Sequence, residues 1–176
     1  MYAQRSPKSL ALQRFERALA ALQHDPVHCV HRHIARTARV VGARFDEALA
    51  TRGFTSGQFT TLMTLVRMGP LPIGRLAEEL AMDASTVPRV IRPLIERGWV
   101  ELAHGKDRRV RIVAATDEGV QRLTDALPTW ERTQVEALAS LEAQGWKELR
   151  HGIASLRRGL RRTGAPARIA AGSGRV

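Results

Sequence analysis

The chain has 176 residues, of which 44 % are hydrophobic and 26 % are charged, as in folded proteins that bury a core. This composition excludes a disordered or collagen-like chain. The sequence lacks an apolar run of about 18 residues, and its charged N-terminus does not resemble a secretion signal. A cytoplasmic protein with no membrane partner is therefore expected. The single cysteine, Cys29, cannot form a disulfide within the chain.

The charge balance is strongly basic, with 28 Lys and Arg against 17 Asp and Glu and a formal net charge of +11. A surplus of this size favours a polyanionic partner, because each phosphate that a cation neutralises releases condensed counterions. Solubility alone would be the other explanation. Since the surplus is spread along the whole chain, the local placement of the cations has to decide between the two.

Two amphipathic helices are predicted before residue 54. Ser6 would cap the first helix, with Pro7 in its first turn, and Pro26 would end it. The second helix would run from about residue 27 to 51 and stop at Gly53. Their apolar positions recur at helical spacing: Leu12, Phe15, Leu19 and Leu22 in the first, and Val30, Ile34, Val41, Phe45 and Leu49 in the second.

Three shorter helices are predicted next. Thr55 and Gln58 form a capping-box pattern for the first of them, and the second would span residues 73–81. Asp83 would cap the third, at residues 84–97, where Pro88 would remove one helical hydrogen bond. The inward positions of the three helices are Phe59, Leu62, Met63 and Val66, then Ile73, Leu76, Ala77 and Leu80, then Val87, Ile91 and Leu94.

The periodicity then becomes that of strands, which are predicted at residues 99–103 and 110–114 around a basic loop. Thr116 would cap a helix that runs to about residue 141, with a kink at Pro128. A last helix carries apolar residues at coiled-coil-like steps: Trp146, Leu149, Ile153, Leu156 and Leu160.

This order of elements predicts a mainly α fold with a small β-hairpin wing, a winged helix-turn-helix. The domain prediction places N-terminal helices in 1–54, the winged helix-turn-helix in 55–114 and C-terminal helices in 115–162. Residues 163–176 lack periodicity and are predicted to be a disordered tail.

The third helix of such a domain fits the major groove of DNA, and a basic hairpin fits the backbone and a narrow minor groove. A solvated loop with incidental charge is the alternative for the hairpin. The residues predicted to face DNA from the helix are Ala84, Ser85, Thr86, Pro88, Arg89 and Arg92. Those predicted in the wing are Lys106, Asp107, Arg108, Arg109 and Arg111.

Several short segments also occur in a characteristic order. They are Gly53-Phe54-Thr55 with Gln58-Phe59, Gly74 to Ala77, Met82 to Arg89, Arg92 to Leu94, Gly98 to Val100, Asp107-x-Arg109, and Thr116 with Gly119. Each segment is weak alone, but in this order and spacing they resemble the MarR family of bacterial transcriptional regulators. The resemblance runs from about His28 to Leu160. Pro72, Pro88 and Ala115 depart from the family pattern.

The resemblance implies a homodimer, built from the first and last helices, that binds a pseudo-palindromic operator, most often as a repressor. It also implies that Arg109 enters the minor groove while Asp107 holds its guanidinium. A small-molecule effector, such as a phenolic or aromatic anion, would bind between the long N-terminal helix and the winged domain. Its candidate contacts are Arg36, Arg39, Arg44, Phe45 and Trp130.

Three other interpretations stay open. Cys29 lies among His24, His28, His31 and His33, so that neighbouring cations could favour a redox-active thiolate, or the cluster could bind a metal. No acidic or cysteine cluster completes a metal shell, and we predict neither a metal nor a cofactor. A sequence-tolerant architectural DNA-binding protein is the other non-enzymatic class. Signatures of catalysis are absent, so no catalytic residue is predicted.

Overall fold

The computed structural model describes residues 9–105, 110–141 and 144–162. The chain divides into two compact units, Met1–Val41 and Gly42–Val176. The elements in chain order are α1 (Leu10–Ala20), a 3-10 helix (Pro26–His28), α2 (Val30–Ala50), α3 (Ser56–Met68), β1 (Leu71–Pro72), α4 (Ile73–Glu79), α5 (Val87–Glu96), β2 (Val100–His104), β3 (Arg111–Ala115), α6 (Asp117–Ala139) and α7 (Gly145–Arg162). Within those ranges no helix is long and apolar enough to cross a membrane.

The predicted fold class is confirmed: helices dominate, and α3, α4 and α5 lead into a β2–β3 hairpin as in a winged helix-turn-helix. The sheet is antiparallel with the order β1-β3-β2. The sequence analysis missed β1, because two residues show no alternation of apolar and polar side chains. Pro72 is tolerated there because β1 lies at the sheet edge, where a missing N–H costs little.

The N-terminal helix begins later than predicted. Ser9, not Ser6, caps α1, and its hydroxyl accepts a hydrogen bond from the Leu12 N–H at 3.2 Å. Ser6 and Pro7 lie outside the described residues, and α1 ends before Leu22. The next long helix also starts later, at residue 30 rather than about 27, because Pro26 opens a separate 3-10 turn.

The capping box of α3 is confirmed in both directions. The Gln58 N–H donates to the Thr55 hydroxyl at 3.2 Å, and the Thr55 N–H donates to the Gln58 side-chain oxygen at 3.0 Å. One inward position was wrong: Val66 is 38 % exposed, whereas Leu65 is buried. The inward face advances from Leu62 by three residues rather than four.

Among the described residues, the buried apolar core lies between residues 49 and 126, in the second compact unit. The predicted inner faces of α4 and α5 contribute to it. Its members are Leu49, Phe54, Phe59, Leu62, Leu65, Leu76, Ala77, Val87, Ile91, Leu94, Trp99, Val100, Val113, Leu123 and Ala126.

The elements after α5 follow the prediction closely. β2 and β3 each begin one residue later than expected. The Thr116 hydroxyl accepts from the Gly119 N–H at 3.1 Å and so caps α6. The helix continues through Pro128, and the kink there stays a prediction. α3 to β3 occupy residues 56–115, but the predicted domain limits stay predictions. The tail at 163–176 lies outside the described residues.

Candidate nucleic-acid interface

The start of α5 differs from the prediction. The helix begins at Val87, and Asp83 instead caps the turn before it: its carboxylate accepts from the Ser85 N–H at 2.9 Å and from the Ser85 hydroxyl at 2.8 Å. A helix begun at Ala84 would bring the Pro88 ring against a carbonyl four residues earlier. In the observed register Pro88 occupies the first turn, where its missing N–H has no helical acceptor to lose. The cost that the sequence analysis assigned to Pro88 was therefore wrong.

The two faces of α5 are sharply different. Val87, Ile91 and Leu94 are at most 1 % exposed and fix the helix on the core. Of the six residues predicted to face DNA, Thr86 is half-buried, and the exposed five are Ala84, Ser85, Pro88, Arg89 and Arg92. Four of these five also line one shallow depression: Ser85, Pro88, Arg89 and Arg92. The structure thus brings the predicted helix contacts together on one accessible surface.

The two arginines of this surface differ in their partners. The Nε of Arg92 lies 2.8 Å from the Glu96 carboxylate one turn later, and both side chains are more than half exposed. Such a surface ion pair contributes little to stability, so Arg92 can turn to another anion at low cost. Arg89 has no carboxylate partner within the described part of the chain. Its planar guanidinium is free for bidentate binding to a phosphate or a base edge.

Only the base of the wing belongs to the described residues. Arg111 is exposed at the start of β3, opposite His104 of β2. The Gly105 N–H donates to the Val110 carbonyl at 2.8 Å and holds the two strands together there. Lys106, Asp107, Arg108 and Arg109 lie outside the described residues, so the pairing of Asp107 with Arg109 stays a prediction.

Trp99 holds the end of α5 in place, a role that the sequence analysis missed. Its ring lies 4.7 Å from the Phe54 ring, and the Arg97 guanidinium lies 5.0 Å from the centroid of the indole. Arg97 also donates a hydrogen bond to the Gly53 carbonyl. The last turn of α5 is thereby tied to the turn between α2 and α3. In the sequence, the only sign of the contact between Arg97 and Trp99 is that a cation lies two residues before a tryptophan.

The start of α6 is fixed to the same tryptophan. The Thr116 N–H donates to the Trp99 carbonyl at 3.1 Å, and the Thr116 hydroxyl donates to the Gly98 carbonyl at 2.6 Å. Gly119 fits this junction because a Cβ there would lie 2.1 Å from the Trp99 carbonyl oxygen. The backbone that leads into the hairpin is therefore held by α6 as well as by α5.

The residues predicted to bind an effector fall into different surroundings. Arg36 and Arg39 are exposed in the first compact unit. Arg44 belongs to the second unit, where it donates to Glu136 at 2.8 Å and to Glu47 at 3.1 Å. The hydrogen bonds to Glu136 and Glu47 raise the pKa of Arg44 above its usual value, so this arginine stays charged.

The two predicted aromatic contacts, Phe45 and Trp130, are half-buried against the core of the second unit. The Trp130 ring stacks on Phe59 with centroids 6.1 Å apart. Both side chains therefore have a packing role, and a ligand role for any of the five residues stays a prediction.

Cys29 is a free, exposed thiol at the end of the 3-10 helix. The rings of His28 and His33 are parallel, with centroids 6.4 Å apart. No group of three His, Cys, Asp or Glu side chains within 9–105, 110–141 and 144–162 is placed to hold a metal ion. A redox role for Cys29 stays a prediction.

Comparison with known proteins found a matching family model and similar regulators. The model of the MarR family matches residues 54–110, which include α3, β1, α4, α5 and β2. An HTH-type transcriptional regulator of Bacillus subtilis, YwoH, is 28 % identical over 124 residues, which are 70 % of this chain and 90 % of that protein.

Two solved structures are similar as a whole. The M. tuberculosis transcriptional regulator MosR in complex with DNA is 28 % identical, covers 77 % of this chain and 98 % of its own, and superimposes with a TM-score of 0.70. Bordetella bronchiseptica BpsR shares the fold at 24 % identity and a TM-score of 0.63, over 75 % of this chain and 98 % of its own. The chain is thus similar to winged helix-turn-helix transcriptional regulators over most of its length, and its residues 54–110 match the MarR family.

Proposed function

We propose that this regulator is a homodimer that binds double-stranded DNA by placing α5 in the major groove and the β2–β3 wing along the backbone. The observation that carries the proposal is the division of α5 into a buried face and an exposed face, where Arg89 has no carboxylate partner among the described residues. The major groove is wide enough for one α-helix. Arg109 would enter the minor groove from the wing.

The anchoring of α5 supports this role. Three of its apolar side chains are buried, and Arg97 and Trp99 tie its last turn to the neighbouring elements. A recognition helix held in this way does not have to be ordered when it binds, so less free energy is lost on association. MosR, which is 28 % identical, has a structure in complex with DNA.

The exposed apolar residues of α1 and α7 favour a second copy of the chain as the partner. α1 buries none of its residues, and Phe15 on it is 60 % exposed. On α7, Trp146, Leu149 and Ile153 are 42 to 49 % exposed. Apolar stripes of this kind are normally covered by another element. A homodimer would hold two α5 helices about 34 Å apart, one turn of DNA.

The dimer can be tested with one substitution on α7. Ile153→Glu places a charge in the apolar stripe, where it would lose its hydration on burial, and the variant is expected to sediment as a monomer. Ser155→Glu is the matched control, because Ser155 lies on another side of the same helix and is exposed; it is expected to stay dimeric. Sedimentation velocity gives both results. A dimeric Ile153→Glu variant would contradict the assignment of α7.

We further propose that the dimer is a repressor whose operator is released by a small aromatic anion. The two α5 helices of the dimer would have one spacing that fits DNA and another that does not. An effector of this kind acts by binding the second form of the dimer more tightly than the first. BpsR is a regulator whose DNA binding is regulated by 6-hydroxynicotinic acid, an anion of this class. Arg44 would supply the cation, and Phe45 and Trp130 are the candidate aromatic contacts. Oxidation of Cys29 is the alternative trigger.

A specific regulator and an architectural DNA-binding protein differ in selectivity. Duplexes selected from a randomised pool are expected to bind at least about 10³-fold more tightly than scrambled duplexes of the same composition. Both affinities are expected to fall steeply with salt. Fluorescence anisotropy measures the two dissociation constants. A ratio below about tenfold would favour the architectural interpretation instead.

A further inference from the structure

α7 is much more basic than the rest of the fold. Its sequence, GWKELRHGIASLRRGLRR, contains six Lys or Arg residues and one acidic residue, Glu148. A surplus of five positive charges on one helix is almost half of the net charge of the whole chain. A helix needs no such density for solubility.

The cations of α7 share one side of the helix. At 100° per residue, Lys147, Arg150 and Arg157 fall within one narrow arc, and these three residues line the same shallow concave surface. The apolar stripe around Ile153 lies beside this arc and not within it. The basic face, defined as Lys147, Arg150 and Arg157, is therefore separate from the surface proposed for dimerisation.

The three cations of the basic face outnumber the one carboxylate, that of Glu148, which lines the same concave surface. Four arginines elsewhere in the second unit are held by glutamates of their own helix, three or four residues away: Arg44, Arg75, Arg92 and Arg122. By contrast, none of the three basic-face residues forms an ion pair with another described residue, and all three are exposed. Exposed cations in one arc leave a positive potential that a polyanion can reach.

We propose that the basic face of α7 is a second, sequence-independent contact surface for the phosphate backbone of duplex DNA. This goes beyond the proposed function, in which only α5 and the wing contact DNA. Guanidinium groups bind phosphate oxygens in a bidentate manner. Each contact releases counterions, so the surface strengthens binding to any duplex without reading its bases.

An anionic lipid surface is the other polyanion that a basic amphipathic helix fits. Such a surface would have to take up the apolar stripe of α7. That stripe is the one proposed to be covered by the second copy of the chain, so lipid and dimer compete for it. DNA binds the cations alone and is compatible with the dimer.

The test compares two double variants that remove the same charge. Arg150→Gln/Arg157→Gln changes the basic face, and Arg122→Gln/Arg132→Gln changes two exposed arginines of α6. The probe is a short duplex of random sequence without an operator, titrated at increasing potassium chloride. In the α7 variant, the slope of log affinity against log salt is expected to lose about one unit per arginine, and the affinity is expected to fall by about tenfold or more. The α6 variant is expected to bind like the unchanged protein.

Two results would overturn the proposal. One is an α7 variant whose salt slope and affinity equal those of the α6 variant. The other is tight binding of phosphatidylglycerol vesicles that the α7 changes abolish while binding to the duplex stays the same. Sedimentation velocity establishes that both variants remain folded and in the same assembly state. The role of α5 is tested separately from that of α7. If α5 did not recognise DNA, the preference for selected duplexes would be absent while binding to the random duplex remained.

Discussion

Replacing Arg89 by alanine is expected to lower the affinity for a selected operator duplex by about 10- to 100-fold, or about 1–3 kcal/mol. The reason is that this residue lies on the exposed face of α5 and has no carboxylate partner in the part of the chain that the structure describes. Its full guanidinium is available to DNA, and truncation leaves the contacted base edge or phosphate unpaired. Fluorescence anisotropy at constant salt measures the loss.

The matched control for Arg89 is Arg122→Ala. Arg122 is also an exposed helical arginine, but its Nε lies 2.7 Å from Glu118 on α6, and its loss is expected to leave operator affinity unchanged. The slope of log affinity against log salt then shows whether Arg89 contacts a phosphate or a base. Loss of a phosphate contact weakens binding to all duplexes and reduces the slope by about one, whereas loss of a base contact acts on the operator alone. A folded Arg89→Ala variant with normal operator affinity would refute the assignment of α5.

Gly119→Ala is expected to cost about 3 kcal/mol of folding stability and to lower the melting temperature by about 6–12 °C. The new Cβ would lie 2.1 Å from the Trp99 carbonyl oxygen and 2.9 Å from its carbonyl carbon. Both are backbone atoms, so no rotamer change relieves the overlap. The start of α6 has to move away from the Trp99 backbone, which also breaks the hydrogen bond from the Thr116 N–H to the Trp99 carbonyl. Thermal unfolding followed by circular dichroism measures the change.

Gly152→Ala provides the control for this substitution. Nothing lies within 4 Å of a Cβ at Gly152 on α7, and alanine favours a helix over glycine by about 1 kcal/mol. This variant is expected to melt at or above the temperature of the unchanged protein. Equal melting temperatures for the Gly119 and Gly152 variants would contradict the close approach of α6 to the Trp99 backbone.

The elements that depend on neighbouring residues were predictable from the sequence. The capping box of Thr55 and Gln58 is a local pattern, and the buried face of α5 follows from the helical spacing of Val87, Ile91 and Leu94. The start of α5 was wrong because the preference of Asp83 for a cap position was given more weight than the constraint from Pro88. The Asp83 carboxylate instead accepts a hydrogen bond from the Ser85 N–H in the turn before α5.

The contacts that position the site were not predictable in this way. Arg97 and Gly53 are 44 residues apart, and Arg44 and Glu136 are 92 residues apart. Contacts over such separations leave no periodic signal, and they depend on how the helices pack. The exposure of Arg89 and Arg92 was inferred correctly because it follows from the buried face of their own helix. The structure was needed to show that Arg92 pairs with Glu96 while Arg89 has no carboxylate partner among the described residues.

Methylation protection of guanine N7 on a selected operator tests most directly whether α5 reads the major groove, because N7 is accessible only there. The expected result is two groups of protected guanines about 10 base pairs apart, one for each protomer, with protection lost in the Arg89→Ala variant. Bound protein that leaves every N7 reactive and protects only the sugar-phosphate backbone would contradict the account.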